Sequence, residues 1–143
     1  MADTIQFDLV SPERMLTSVA ATAVQIPGAD GDFTAMPGHV PFIATLRPGI
    51  IVAATEKGEV RYVVTGGFAE ITGEHVSVLA ERSMMAEEVT QPTFDEMVSE
   101  ARAVRAARAE QETDWGPAHD AHDKHFADIM EVGRQLGLQG SSN

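Results

Sequence analysis

Proline and glycine recur so closely before residue 87 that no long helix fits there. Pro12, Pro27, Pro37, Pro41 and Pro48 are five of the seven prolines, and eight of the twelve glycines lie in the same stretch. Proline removes an amide donor and clashes with the preceding helical turn, so a chain broken this often is left with short strands and turns. The apolar pattern agrees. Ile5, Phe7 and Leu9 alternate with Gln6 and Asp8, the period of a half-buried strand. Val60, Tyr62 and Val64 repeat it around Arg61, and Val76 and Val78 resume it after the turn cluster Thr72-Gly73-Glu74-His75. The runs Gly49–Thr55 and Glu59–Thr65, separated by Lys57-Gly58, have hairpin spacing. Many short strands with frequent turns predict antiparallel sheets in a sandwich or barrel, and the sandwich is the architecture expected.

The grammar changes near residue 87, which divides the chain into a sandwich over 1–86 and a helical segment over 87–143. Thr93 with Glu96 three residues later reads as a capping box, with Pro92 before it. Phe94, Met97, Ala101 and Val104 then recur at helical spacing. Trp115-Gly116-Pro117 is a strong stop, and a second helix is expected from about Ala118, with Phe126, Ile129, Met130, Gly133 and Leu136 on one face. Two helices joined by a Gly-Pro turn predict an antiparallel hairpin, frayed after Gly140. The first helix is rich in alanine at 101, 103, 106, 107 and 109. Alanine favours helix but buries little area, so docking of the hairpin is worth only a few kcal/mol. That is the scale on which a two-state switch operates.

Charge and composition exclude several classes. Twenty-two acids against ten bases give a net charge of −12, which repels nucleic acid and anionic lipid. Residues 1–86 hold ten acids and five bases, and residues 87–143 hold twelve acids and five bases, so both parts are acidic. Cysteine is absent, so no disulfide or thiolate chemistry exists. No apolar run approaches the ~20 residues of a membrane span, and the opening residues lack the basic cluster of a targeting segment.

The search for chemistry finds no nucleotide-binding, nucleophile-elbow or zinc-protease pattern. Gly66-Gly67 reads as a turn pair. His119, His122 and His125 drift around a helix rather than converging, so a solvated face is expected and no metal site. Arg102, Arg105 and Arg108 form a stripe with the same drift. They pair with acids such as Glu100 and Glu112, or meet an acidic partner or a nucleotide phosphate. A metal enzyme built on His39 and His75 would need ligands from different strands and has no carboxylate pair at suitable spacing. The most unusual segment is Ala29 to Gly49. Pro37-Gly38, His39, Pro41 and Pro48-Gly49 stiffen it on both sides of a short apolar run. A stiff edge of this kind suits docking, or is a proline-rich crossover between strands.

Gly31-Asp32-Phe33-Thr34, then Pro37-Gly38-His39-Val40-Pro41 and Leu46-Arg47-Pro48-Gly49, resemble the core motif of the epsilon subunits of rotary ATP synthases, the counterparts of mitochondrial delta. Phe7-Asp8-Leu9-Val10-Ser11-Pro12, Gly66-Gly67-Phe68 and Val76-Ser77-Val78-Leu79-Ala80 also fit that family. The resemblance implies a non-catalytic rotor part at the cytoplasmic face of a bacterial inner membrane. In that family the sandwich grips the gamma subunit and stands on the c-ring, and the helical hairpin reaches the catalytic alpha and beta subunits in an extended, inhibitory form. It implies that Asp32, Phe33 and His39 face the c-ring, and that the stripe Arg102, Arg105 and Arg108 is where partner or nucleotide contacts fall.

Two departures lie in the tail. ATP-binding members carry Ile/Leu-Asp-x-x-Arg-Ala on the first helix. Here the matching run is Val98-Ser99-Glu100-Ala101-Arg102-Ala103, so Ser99 replaces the aspartate. A neutral hydroxyl cannot accept hydrogen bonds as a carboxylate does, so no ATP cofactor is expected. The inhibitory form uses basic helices, whereas residues 114–143 hold Asp114, Asp120, Asp123, Asp128 and Glu131 against Lys124 and Arg134. Like charges oppose insertion beside an acidic partner, so the tail is expected to inhibit poorly or not at all. The competing reading is a stand-alone sandwich that binds a protein or small ligand in a concave apolar pocket.

Overall fold

The structure is a computed structural model that describes residues 4–111 and 117–138, with side chains at 105, 108–111 and 117–123 outside that description. Contacts group the chain into two units, Met1–Glu88 and Val89–Asn143.

The first unit is a sandwich of two five-stranded sheets. Its strands are β1 (Ile5–Val10), β2 (Met15–Ala21), β3 (Ala23–Ile26), β4 (Phe33–Ala35), β5 (Phe42–Leu46), β6 (Gly49–Thr55), β7 (Gly58–Val64), β8 (Gly67–Ile71), β9 (His75–Ala80) and β10 (Ser83–Met85). The first sheet has the order β2-β1-β9-β8-β5 and the second β10-β7-β6-β3-β4. The expectation of purely antiparallel sheets needs one correction: β1 and β9 pair in parallel, Phe7 opposite Val76 and Leu9 opposite Val78. A parallel pair needs a long connection between its strands. Seven strands, β2 to β8, supply it here, four of them in the second sheet.

Period-two burial builds the core. Ile5, Phe7, Leu9, Ala69, Ile71, Val76 and Val78 point inward from the first sheet and are sealed from solvent. Val24, Ile26, Ile51, Ala53, Tyr62 and Val64 meet them from the second. The Phe7 and Tyr62 rings stand 5.8 Å apart at 59°, and the Tyr62 hydroxyl donates to Thr17 Oγ1 at 3.2 Å, so one side chain links the layers by packing and by a hydrogen bond. The β6–β7 hairpin closes one residue earlier than expected. Thr55 pairs Gly58, leaving Glu56-Lys57 as the turn. Gly58 takes φ +111° as the first residue of the return strand, and Thr55 Oγ1 accepts from Lys57 N at 3.2 Å.

The second unit is two helices, α1 (Gln91–Gln111) and α2 (Pro117–Gln135). Thr90, not Thr93, caps α1. Its hydroxyl accepts from Thr93 N at 3.3 Å and its carbonyl from Phe94 N at 2.9 Å. Pro92, with no amide to offer, then falls in the first turn, where none is needed. Phe94, Met97 and Ala101 are buried as expected, but Val98 completes the face and Val104 is exposed. On α2, Ile129, Val132 and Gly133 are buried, with Phe126, Met130 and Leu136 half-buried beside them. The early α1 residue Phe94 meets the late α2 residue Gly133, and Arg102 further along α1 lies 5.6 Å over the Phe126 ring. The helices therefore run antiparallel. The expected stop at Trp115-Gly116 lies outside the described residues.

Gly133 has a packing reason to be glycine. A Cβ built there would stand 2.1 Å from Phe94 Cζ. In an open helix Gly→Ala stabilises by up to about 1 kcal/mol. Here overpacking reverses the sign, so Gly133→Ala is expected to cost about 1–3 kcal/mol in urea melts followed by helical ellipticity. An unchanged or raised midpoint contradicts the packing described.

Candidate docking surface

The outer face of the first sheet carries an apolar row. Met15 pairs Val10, Val10 pairs Leu79, and Leu79 pairs Phe68, so cross-strand register places four apolar side chains in one line over β2, β1, β9 and β8. Met15, Leu79 and Phe68 are each more than half exposed. Ile43 on β5, at 73% exposed, extends the patch two residues along from Thr45, which pairs Phe68. Gly66 and Gly67 make this possible. They take φ +147° and +133°, and a Cβ on Gly67 would lie 2.1 Å from the Leu79 carbonyl oxygen. Only glycine allows that approach, and Phe68 then stands opposite Leu79. The expected turn pair is thus also what seats the row.

A polar network borders the row. Ser18, Asp8, Ser77 and Glu70 lie opposite one another across the same strands. Ser18 Oγ donates to Asp8 Oδ1 at 2.6 Å, Gln6 Nε2 donates to Ser18 Oγ at 2.9 Å and to Asp8 Oδ1 at 3.2 Å, and His75 Nε2 lies 2.7 Å from Asp8 Oδ2. The Ser18 hydroxyl first, then the Gln6 amide and the His75 ring, hold the Asp8 carboxyl below its ordinary range, with burial opposing them.

The expected c-ring-facing residues fall on the edges of the two sheets. Asp32 is an exposed loop residue paired with Arg47. Phe33 opens β4, the edge of the second sheet, and Phe42 opens β5, the edge of the first. Their rings lie 5.0 Å apart, and the His39 ring lies 5.1 Å from Phe42. A chain of rings therefore joins His39 to Phe33, next to Asp32. Pro37 and Gly38 form a tight turn. His39 N donates to Met36 O at 3.0 Å, Gly38 takes φ +86°, and Gly38 N donates to Gly73 O at 2.9 Å. Met36 and Val40 are exposed on this loop. His75, which the rejected metal reading would join to His39, is engaged with Asp8 instead. Among the described residues no three acids or histidines gather to hold a metal.

On the helices, Arg102 is half-buried over Phe126, while the side chains of Arg105 and Arg108 lie outside the described residues, as do those of His119 and His122. Ser99 is exposed on α1. No described helix is long and apolar enough to cross a membrane.

A family model described as the beta-sandwich domain of the ATP synthase delta/epsilon chain matches residues 4–86. The chain belongs to the ATP synthase delta/epsilon family. The likeness extends through the helices. The ATP synthase epsilon chain of Ruegeria sp. (strain TM1040) is 51% identical over 138 residues, spanning 96% of this chain and 100% of that one. That of Rhodobacter capsulatus is 49% identical over 142 residues, with 96% and 100% covered. A chain in the cryo-EM structure of the Euglena gracilis mitochondrial ATP synthase, OSCP/F1/c-ring, shares the fold with TM-score 0.66 at 23% identity, over 96% of this chain and 81% of that one. Membership of the delta/epsilon family sets aside the stand-alone sandwich module. The family motif around Asp32 and His39 was legible in sequence, but the row from Met15 to Phe68 was not, since it forms only when four strands pair.

The depressed Asp8 carboxyl sets a pH dependence. Its contribution is present above the unfolded-state value near 3.9 and is lost as pH falls through the lower folded value. The difference in melting temperature between wild type and Asp8→Asn is therefore expected to hold from neutral pH down to about pH 4 and to shrink below it. A difference that grows as pH falls below about 4 contradicts the network.

Proposed function

We propose that this chain is a non-catalytic central-stalk part of a proton-translocating ATP synthase, transmitting rotation of the c-ring through the gamma subunit to the catalytic alpha and beta subunits. The observation that carries this reading is the in-register apolar row on the outer sheet face. Taking a Phe or Leu side chain fully out of water is worth about 1.5–3 kcal/mol, so a row of four is a strong incentive to dock on a protein partner. The reading assigns the row to gamma and the edge with Asp32, Phe33 and His39 to the c-ring. The cross-tied loop at Gly38 and Gly73 suits an edge that bears load. The epsilon chains of Ruegeria and Rhodobacter match over nearly the full length, which supports the same role and a peripheral place at the cytoplasmic face of a bacterial inner membrane. The sandwich over 1–86 docks, and the helical segment over 87–143 is a weak or absent inhibitor of ATP hydrolysis.

The reading gives the tail a minor part. With Ser99 where ATP-binding members have an aspartate, α1 binds no ATP cofactor, and contacts of Arg102, Arg105 and Arg108 with alpha and beta are weak. The acids of α2 oppose insertion against an acidic neighbour.

Two experiments follow. Phe68→Glu in the full chain is expected to abolish co-purification with gamma, since loss of a central interface anchor costs about 2 kcal/mol or more, roughly thirtyfold in affinity. The isolated variant keeps its strand content because Phe68 points to solvent. Undiminished co-purification counts against the row as the gamma contact. An enzyme carrying the chain truncated after Glu88 is expected to hydrolyse ATP at close to the intact rate. A large rise would show that the tail is a strong inhibitor.

A further inference from the structure

The loop that carries Asp32 is fastened along its length to the end of β5. Ala29 N donates to Thr45 O at 2.8 Å, Arg47 N donates to Pro27 O at 3.0 Å, and Gly28 forms a bridge with Leu46. The chain is tightly packed there. A Cβ on Gly49 would lie 2.6 Å from Pro27 Cβ, and one on Gly28 would lie 2.5 Å from Gly31 O. At the loop's far end the Arg47 guanidinium pairs with the Asp32 carboxylate. Pro27 follows β3 of the second sheet and Arg47 follows β5 of the first, so these ties cross between the layers.

We infer that Arg47 is a positioning residue, which clamps the Asp32 loop to the end of β5 so that force applied to the loop enters both sheets at once. Asp32 is the other half of the clamp, not a carboxylate offered to a partner. The inference rests on the docking reading above, since only a loaded loop needs such a tie. Exposure supports a mechanical role over a stabilising one. The Arg47 and Asp32 side chains are 25% and 48% exposed, and ion pairs so open to water add little to stability. What a guanidinium adds is geometry. Here Nη2 donates to one carboxylate oxygen, Oδ1, and the planar guanidinium restricts the direction of that bond more than a lysine ammonium would. The backbone bonds at Pro27 and Thr45 hold the root of the loop, and the pair holds its tip.

The test uses the assembled enzyme. The chain has no cysteine, so Asp30→Cys, on the exposed part of the loop, can be labelled with a benzophenone maleimide and photolysed. In the otherwise native background a product with the c subunit is expected. Adding Arg47→Ala is expected to lower its yield severalfold while the melting temperature of the isolated full chain stays unchanged. The swapped pair, Asp32→Arg with Arg47→Asp, is expected to restore the yield, because it rebuilds the clamp while removing the carboxylate from position 32. An undiminished yield with Arg47→Ala overturns the clamp. So does failure of the swap to restore it, which would make the Asp32 charge itself the contact. Absence of any c-subunit product in the native background overturns the docking reading and the clamp with it.

Discussion

Burial of Ile5, Phe7 and Leu9 fixes the pairing of β1 with both its neighbours, and the outer surface of the sandwich follows from that one constraint. Strand side chains alternate strictly, so a slip by one residue would expose all three and turn Gln6, Asp8 and Val10 inward. The cost of exposing them excludes every slip by an odd number of residues. The register adopted sets Val10 between Met15 and Leu79 and sets Asp8 between Ser18 and Ser77. The docking row and the polar network beside it are therefore by-products of core packing. The row needs in addition only the Gly66-Gly67 turn that seats Phe68 opposite Leu79.

The sandwich divides its labour between face and edge. The outer face of the first sheet offers an apolar row beside a polar network, the area that the proposed docking uses. The edges β4 and β5 are short, and both are tied to other parts of the unit. Loop 27–32 is fastened to the end of β5, and loop 36–41 is fastened to the β8–β9 turn through Gly38 and Gly73. Fastened edges also hide backbone groups that would otherwise recruit stray strands. The proposed role in transmitting torque would call for stiff edges, and here stiffness comes from prolines, backbone ties and one ion pair together.

Much of this was legible in the sequence. The alternation in β1 and β9 was visible because one face of each is wholly buried, and in β7 because Val60, Tyr62 and Val64 flank the exposed Arg61. The two-part division was visible because the proline and glycine spacing changes near residue 87. The helical hairpin was visible from the apolar repeats on α1 and α2. What could not be read depends on distance along the chain. Asp8 and His75 are 67 residues apart, and Asp32 and Arg47 are 15 apart. The parallel pairing of β1 with β9 joins nearly the two ends of the unit. β2 was obscure because its burial does not alternate cleanly and a register shift at Leu9/Val10 interrupts its pairing with β1. At the start of α1, Thr90 and Thr93 are both plausible caps by residue type. Pro92 fits either choice, before the cap or in the first turn, and only the bonds from Thr93 N and Phe94 N to Thr90 decide between them.

Docking through the outer sheet face requires the row from Met15 to Phe68 to be covered in the working enzyme. Hydroxyl-radical footprinting of the isolated chain and of the assembled ATP synthase reads this directly, because Met15, Phe68 and Leu79 all react when open to water. The account predicts high reactivity at all three in the isolated chain and strong protection at all three after assembly. Equal reactivity in the two states would contradict it.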